Sequence, residues 1–187
     1  MNPIDDAISA AVKHKETGNQ YLKSALANDP PSDDLFKQAL REYHSAYLYL
    51  RSVDVSESKK EGFDDLLNGF LEEKQKKSDQ QKETLKSLKV NIWNNMSLIY
   101  FKQGKIDKVE NLVVDILSFD KNNEKALIKG VTSAIETDKL EEAGNRIKLL
   151  ENLGTFKSEE LQKYKEKLED KIKGESGLWK HKLKNMF

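Results

Sequence analysis

Cysteine is absent, so the chain has no disulfide, no thiol nucleophile and no thiolate metal ligand. That absence suits a reducing compartment, and cytoplasm is the expected location. Only three prolines and nine glycines punctuate 187 residues, and no run of alternating β-branched side chains reads as a strand. Long helices are permitted and sheet is not expected. No stretch approaches the roughly 18 consecutive apolar residues that a membrane span needs. The start, Met1 to Asp6, lacks a basic segment followed by an apolar run, so no secretory signal is expected. An excess of one charge is missing too. The 32 Lys and Arg balance 32 Asp and Glu, which leaves nothing to steer the chain toward nucleic acid or an anionic membrane. His14, His44 and His181 stand at no metal-ligand spacing, and no glycine-rich phosphate loop occurs. Acidic pairs such as Asp5-Asp6, Asp64-Asp65 and Glu141-Glu142 are adjacent, so on a helix they diverge by about 100° and share no proton. No metal, cofactor or catalytic residue is expected, and the chain reads as a non-enzyme.

What is present is charge and apolar periodicity. Charged residues make up 34% and hydrophobic residues 37%, the balance of helices with one buried stripe and one solvated face. The class is all-α, in a single domain spanning 1–187. Ile4 to about Leu26 predicts a first helix, with Ile8, Ala11, Tyr21 and Leu22 apolar and His14 at the edge of its packing face. The breaker Asn28-Asp-Pro-Pro-Ser32 follows. Ser32 is placed to cap a second helix over about 33–51, and Asp33 and Asp34 favour its N-terminal dipole. Leu35, Ala39, Leu40, Tyr43, Ala46, Tyr47 and Leu50 line that helix. The aromatic residues Tyr43, Tyr47, Trp93 and Tyr100 read as packing between helices rather than ligand stacking. Residues 52–80 read as an insertion: a loop around a short helix at Phe63–Glu73, or a second docking surface. The polar stretch Lys74–Lys82 frays or extends the next helix.

From residue 91 the chain begins to repeat itself. In Asn91–Gln103 the side chains Ile92, Trp93, Met96, Ile99 and Tyr100 recur at three- and four-residue steps. Gly104 breaks the helix, and Ile106–Phe119 resumes the period through Val109, Leu112, Val113 and Ile116. Ser97, Tyr100, Val109, Val113 and Ile116 map onto Val131, Ala134, Ala143, Ile147 and Leu150, each pair 34 residues apart. A helix–turn–helix unit of 34 residues is the period of the tetratricopeptide repeat. That likeness implies three repeats in a right-handed superhelix, at about 4–51, 82–119 and 121–153, with a C-terminal helix at 157–187. A 34-residue pair cannot bury its apolar stripe alone, so neighbouring pairs stack. Gly154 ends the third repeat. Ser158–Ile172 predicts a charged helix whose Leu161, Tyr164 and Leu168 cover the last repeat, Gly174-Glu-Ser-Gly177 is expected to interrupt it, and Leu178–Phe187 closes the chain. Its nine lysines between 157 and 184 alternate with six carboxylates, which suits a solvated face better than a nucleic-acid patch.

Gly18, Ser97 and Val131 occupy equivalent places in the three units. On that register Lys15 and Asn19 flank Gly18, Asn95 precedes Ser97 by two, and Lys125 and Lys129 precede Val131 by six and two. Lys15 and Asn19 share a helical face, as do Lys125 and Lys129. Three ammonium groups and two carboxamides suit the free carboxylate end of an extended peptide, since asparagine both donates and accepts and lysine adds charge-assisted hydrogen bonds.

This set resembles the two-carboxylate clamp of co-chaperone tetratricopeptide domains, which hold the acidic Glu-Glu-Val-Asp tail of the seventy- and ninety-kilodalton heat-shock chaperones. The resemblance implies that Lys15, Asn19, Asn95 and Lys125 hold the terminal aspartate's two carboxylates and that Lys129 contacts the peptide further along. Arginine is usual in the family at this last place, and lysine keeps the charge without the planar fork. Arg41-Glu-Tyr-His-Ser-Ala46 with Leu50-Arg51, then a long insertion before Asn94-Asn95, is similar to the tetratricopeptide repeat protein 9 group. The ending Trp179–Phe187 resembles the last helix of that group and of the large immunophilins. No peptidyl-prolyl isomerase domain is expected ahead of the repeats, and a monomer is. The alternatives are a repeat scaffold that binds another acidic peptide or protein, a regulatory partner of a separate enzyme, and a membrane-surface adaptor using the lysine-rich end.

Overall fold

A computed structural model describes residues 2–53, 77–154 and 157–184, with the backbone alone at 158 and 175–184. Among these residues there are seven helices and no strand: α1 (Pro3–Leu26), α2 (Asp33–Ser52), α3 (Asp79–Lys102), α4 (Ile106–Phe119), α5 (Glu124–Glu136), α6 (Leu140–Leu153) and α7 (Ser158–Lys184). No helix among them is long and apolar enough to cross a membrane. The suggested helix at Phe63–Glu73 and the stretch Ser56–Gly62 lie outside the described residues, as does the side chain of Trp179.

Local chemistry sets the helix ends. The Asn2 side chain accepts from the Ile4 N–H at 3.1 Å, Pro3 opens α1, and Asp5 and Asp6 sit in its first turn. Ser32 caps α2 as expected, accepting from the Leu35 N–H at 3.4 Å. α3 starts at a reciprocal capping box: the Gln81 N–H donates to Ser78 Oγ at 3.1 Å, and the Ser78 N–H donates to Gln81 Oε1 at 2.9 Å. That box makes residues from Asp79 part of the helix.

The chain divides into two compact units, 1–99 and 100–187. In the first, α1 packs on α2. α1 turns Ile4, Ala7, Ala11, Gly18, Leu22 and Ala25 inward, and α2 turns Phe36, Ala39, Tyr43, Ala46 and Leu50. Phe36 takes the buried place that periodicity shared between Leu35 and Leu40, which are both half-buried. Along α3, Tyr47 and Trp93 meet with ring centroids 5.8 Å apart, and Gln81 Nε2 donates to Asp5 Oδ1 at 2.7 Å.

In the second unit α4 packs on α5, α5 on α6, and α7 on both α5 and α6. Its core holds Leu127, Val131, Ala134, Ala143, Ile147 and Leu150, and Leu161, Tyr164 and Leu168 of α7 cover it as expected. The 34-residue period is written into the backbone as well. Gly104 (φ 68°) and Asp138 (φ 58°) make the same left-handed turn. The Lys105 N–H donates to the Tyr100 carbonyl at 2.9 Å and the Lys139 N–H to the Ala134 carbonyl at 2.8 Å. All ten residues mapped by the repeat are buried.

One expectation fails. α7 continues through Gly174–Gly177 to Lys184 instead of breaking. A glycine within a helix costs about 1 kcal/mol relative to alanine but blocks no backbone hydrogen bond, and no proline stands near to force an end.

Candidate functional site

In the first unit the site is built on a missing side chain. A Cβ at Gly18 would lie 2.7 Å from Tyr43 Cε1, so only glycine admits the ring at that depth. Tyr43 is wholly buried between Ala39 and Ala46 one helix over, and its ring runs past Gly18 toward Asn19. There the Tyr43 hydroxyl donates to Asn19 Oδ1 at 2.8 Å. Asn95, from α3, donates through Nδ2 to Asn19 Oδ1 at 2.8 Å and to the Tyr43 hydroxyl oxygen at 3.2 Å. The three side chains close a triangle. Burial pushes the Tyr43 hydroxyl up to about 12 against the opposing pull of the Asn95 hydrogen bond, so it stays a proton donor at any ordinary pH. Lys15 stands one helical turn before Asn19 and is half-buried.

In the second unit Asn123 caps α5 by accepting from the Ala126 N–H at 3.1 Å, and the first turns of that helix carry Lys125 and Lys129. Lys125 is exposed and Lys129 half-buried. Lys129 Nζ donates to the Lys125 carbonyl at 3.0 Å. Burial, and then the Lys125 charge, lower the Lys129 ammonium from 10.5 to about 8. A carboxylate beside it would offset both effects.

The structure thus brings together Asn19 with Asn95, and Lys129 with Lys125. Lys15, Asn19 and Asn95 belong to the first unit, Lys125 and Lys129 to the second. Sequence reasoning missed the Tyr43 hydroxyl, having placed the ring in the packing, where it also is. It also missed a buried network in the second unit. Arg146 donates through Nη1 to Glu110 Oε2 at 2.9 Å and to the Gly130 carbonyl at 2.7 Å, and through Nη2 to Glu110 Oε1 and to Glu142 Oε1 at 3.0 Å. Ser133 Oγ donates to Glu110 Oε2 at 2.5 Å. Burial alone would raise the Glu110 carboxyl. The hydrogen bonds from Arg146 and Ser133, with the charges of Arg146 and Lys139, hold it below its ordinary value. The only signal for this network was two charges beside apolar positions, which solvent-facing residues also show. His14 Nδ1 sits 2.7 Å from Glu42 Oε2, and its ring stacks on Tyr49. Among the described residues no group of three or more His, Asp or Glu could hold a metal ion.

Among solved structures, the C-terminal tetratricopeptide-containing domain of a Plasmodium falciparum protein described as FK506-binding matches with a TM-score of 0.67. The match is 20% identical and covers 93% of this chain and 95% of that one. The chain has the tetratricopeptide repeat fold. Tetratricopeptide repeat protein 9C of Xenopus tropicalis is 28% identical over 181 residues, covering 86% of this chain and 93% of the relative. No family model matches the chain. The tetratricopeptide period also explains one coincidence of the site: Asn95 and Lys129 are 34 residues apart and so hold the same register in successive units.

Proposed function

We propose that this tetratricopeptide repeat chain is a non-enzymatic binding module that captures the free, acidic C-terminal tail of a seventy- or ninety-kilodalton heat-shock chaperone. Lys15, Asn19, Asn95, Lys125 and Lys129 form its contact set. The observation that carries this reading is Lys129: a half-buried ammonium beside a second lysine is stabilised by an arriving carboxylate. The latched carboxamides on α1 and α3 add uncharged hydrogen-bonding groups that a peptide end can use. On this reading the chain works as a co-chaperone in the cytoplasm, and the monomer is the binding unit.

Calorimetry with a Glu-Glu-Val-Asp peptide tests it. Binding on the order of micromolar is expected, because ordering a flexible peptide offsets much of the electrostatic gain. Amidating the peptide's C-terminus, or substituting Lys125→Glu, should abolish it. A repeat scaffold for some other acidic segment would bind the amidated peptide as well as the free acid, and equal binding by the Lys125→Glu chain would remove the proposal.

A further inference from the structure

On α5 Lys129 stands at the margin between the buried and the solvated face. Ala126, three residues before it, and Ser133, four residues after it, lie along the same edge and are buried. A long side chain at such a margin is sensitive to how the helix is turned about its axis. On a radius of about 2.3 Å, a rotation of about 20° moves a Cα by about 0.8 Å, and the end of a lysine by more. Apolar packing has no direction and tolerates a turn of that size. At Gly130, moreover, α5 has no side chain to interlock with Val113 of α4 or Arg146 of α6. Hydrogen bonds take that place. Arg146 donates through Nη1 to the Gly130 carbonyl at 2.7 Å, and Ser133 Oγ donates to Glu110 Oε2 at 2.5 Å. Arg146 also holds both Glu110 oxygens and reaches Glu142, so its planar fork is engaged on every side. α5 is therefore tied to α6 at the residue after Lys129 and to α4 one turn beyond it, by contacts that have direction.

We propose that Glu110, Ser133 and Arg146 are positioning residues for tail capture: their network sets the rotation of α5 and so holds Lys129 at its half-buried margin beside Lys125. This deepens the proposed function and rests on it. The three side chains are 7%, 0% and 5% exposed, so they act through Lys129 and not on a ligand. Half-burial matters because an ammonium that has already lost part of its water gives up little more when a carboxylate arrives. A fully exposed lysine forms only the weak ion pair typical of a surface. The lowered Lys129 value accords with this placement, since burial is its first cause and the Lys125 charge its second.

Two variants loosen the network by different amounts. Ser133→Ala removes one tie and only a hydroxyl. Arg146→Lys keeps a cation beside Glu110 but loses the fork that grips several acceptors at once. An NMR titration of Lys129 Nζ in the free chain should give a midpoint of about 8 in the wild type. That midpoint should move toward the ordinary 10.5 in Ser133→Ala and further in Arg146→Lys. Calorimetry with the Glu-Glu-Val-Asp peptide at pH 7 should show binding weakened about threefold and about tenfold, the difference between a partly desolvated ion pair and a surface one. Ile116→Val, in the same unit but outside the network, should lower the melting temperature and move neither reading. A merely structural role predicts that same result for the two network variants. The inference is overturned if folded Ser133→Ala and Arg146→Lys chains keep the wild-type midpoint, or if the midpoint moves and the affinity does not. Should Arg146→Lys fail to fold, Ser133→Ala decides by the same two readings. If the wild type itself binds no tail, it is the proposed function that falls, and the Lys129 midpoints alone then decide whether the network sets α5.

Discussion

Lys129 keeps an ammonium half-buried beside Lys125, which costs the fold free energy whenever both are charged. Its folded value is depressed from 10.5 to about 8, so between those values the unfolded chain holds a proton that the folded chain releases. Stability from this residue therefore increases as pH rises from 8 toward 10.5. Ligand binding has the opposite sign, because an acidic tail needs the charged form: affinity should be flat below pH 7 and fall as pH rises through 8, as calorimetry across pH 6.5–9.5 would record. Lys129→Met should bind the tail more weakly yet melt higher, by roughly 2–4 °C for each kcal/mol recovered. Glu110 makes the contrasting case. Its carboxyl is held below the ordinary 4.5, so its contribution is full above that pH and is lost as pH falls through the folded value. Glu110→Gln leaves the buried Arg146 with the more exposed Glu142 carboxylate in place of its buried partner, and should cost about 3 kcal/mol in urea unfolding at pH 7, with the difference from wild type shrinking below pH 4. Neither residue could be read from the sequence alone. Lys129 stood out in the sequence as a candidate ligand contact but its burial did not, and Glu110 showed no mark separating it from the solvated glutamates around it.

At the scale of the helix, two glycines of the second unit make opposite predictions. A Cβ at Gly130 would lie 2.9 Å from Val113 Cγ1 and 3.0 Å from Arg146 Cδ and Nη1, in a region already filled by the Glu110 network. Gly130→Ala should destabilise by about 2 kcal/mol despite the better helix propensity. At Gly144 the nearest atom to a new Cβ is Leu168 Cδ2, at 3.8 Å, an ordinary contact. Gly144→Ala should stabilise by about 1 kcal/mol. Denaturant midpoints of the two variants would separate them, and a shared sign would mean that propensity alone governs both. The same distinction explains the elements that were misread. Gly174 meets nothing within 4 Å, so α7 passes through it with only a propensity cost, and a glycine is a helix stop only where the backbone turns left-handed, as at Gly104 and Gly154. The start of α3 was legible but overlooked, since Ser78-Asp-Gln-Gln81 is a capping-box signature. Whether such a box closes depends on the helix that follows.

Over the whole molecule the charges cancel, and the sequence pI is about 6.9. Colloidal repulsion is then weakest near neutral pH, so light scattering should show a solubility minimum close to pH 7 with recovery on either side. Added salt should weaken tail binding through the local lysines rather than through any net field. The amino-acid sequence by itself determined the all-α class, the 34-residue period and most of the helix limits. Those follow from periodicity, capping and turn chemistry, which act over a few residues and leave a local trace. The depth at which Tyr43 lies against Gly18, the hydrogen bonds it makes with Asn19 and Asn95, and the closure of Glu110, Ser133 and Arg146 around Gly130 were decided only by tertiary packing. Such contacts join residues 16 to 76 positions apart, and what sets them is how closely two helices approach, a quantity that no single stretch of chain encodes.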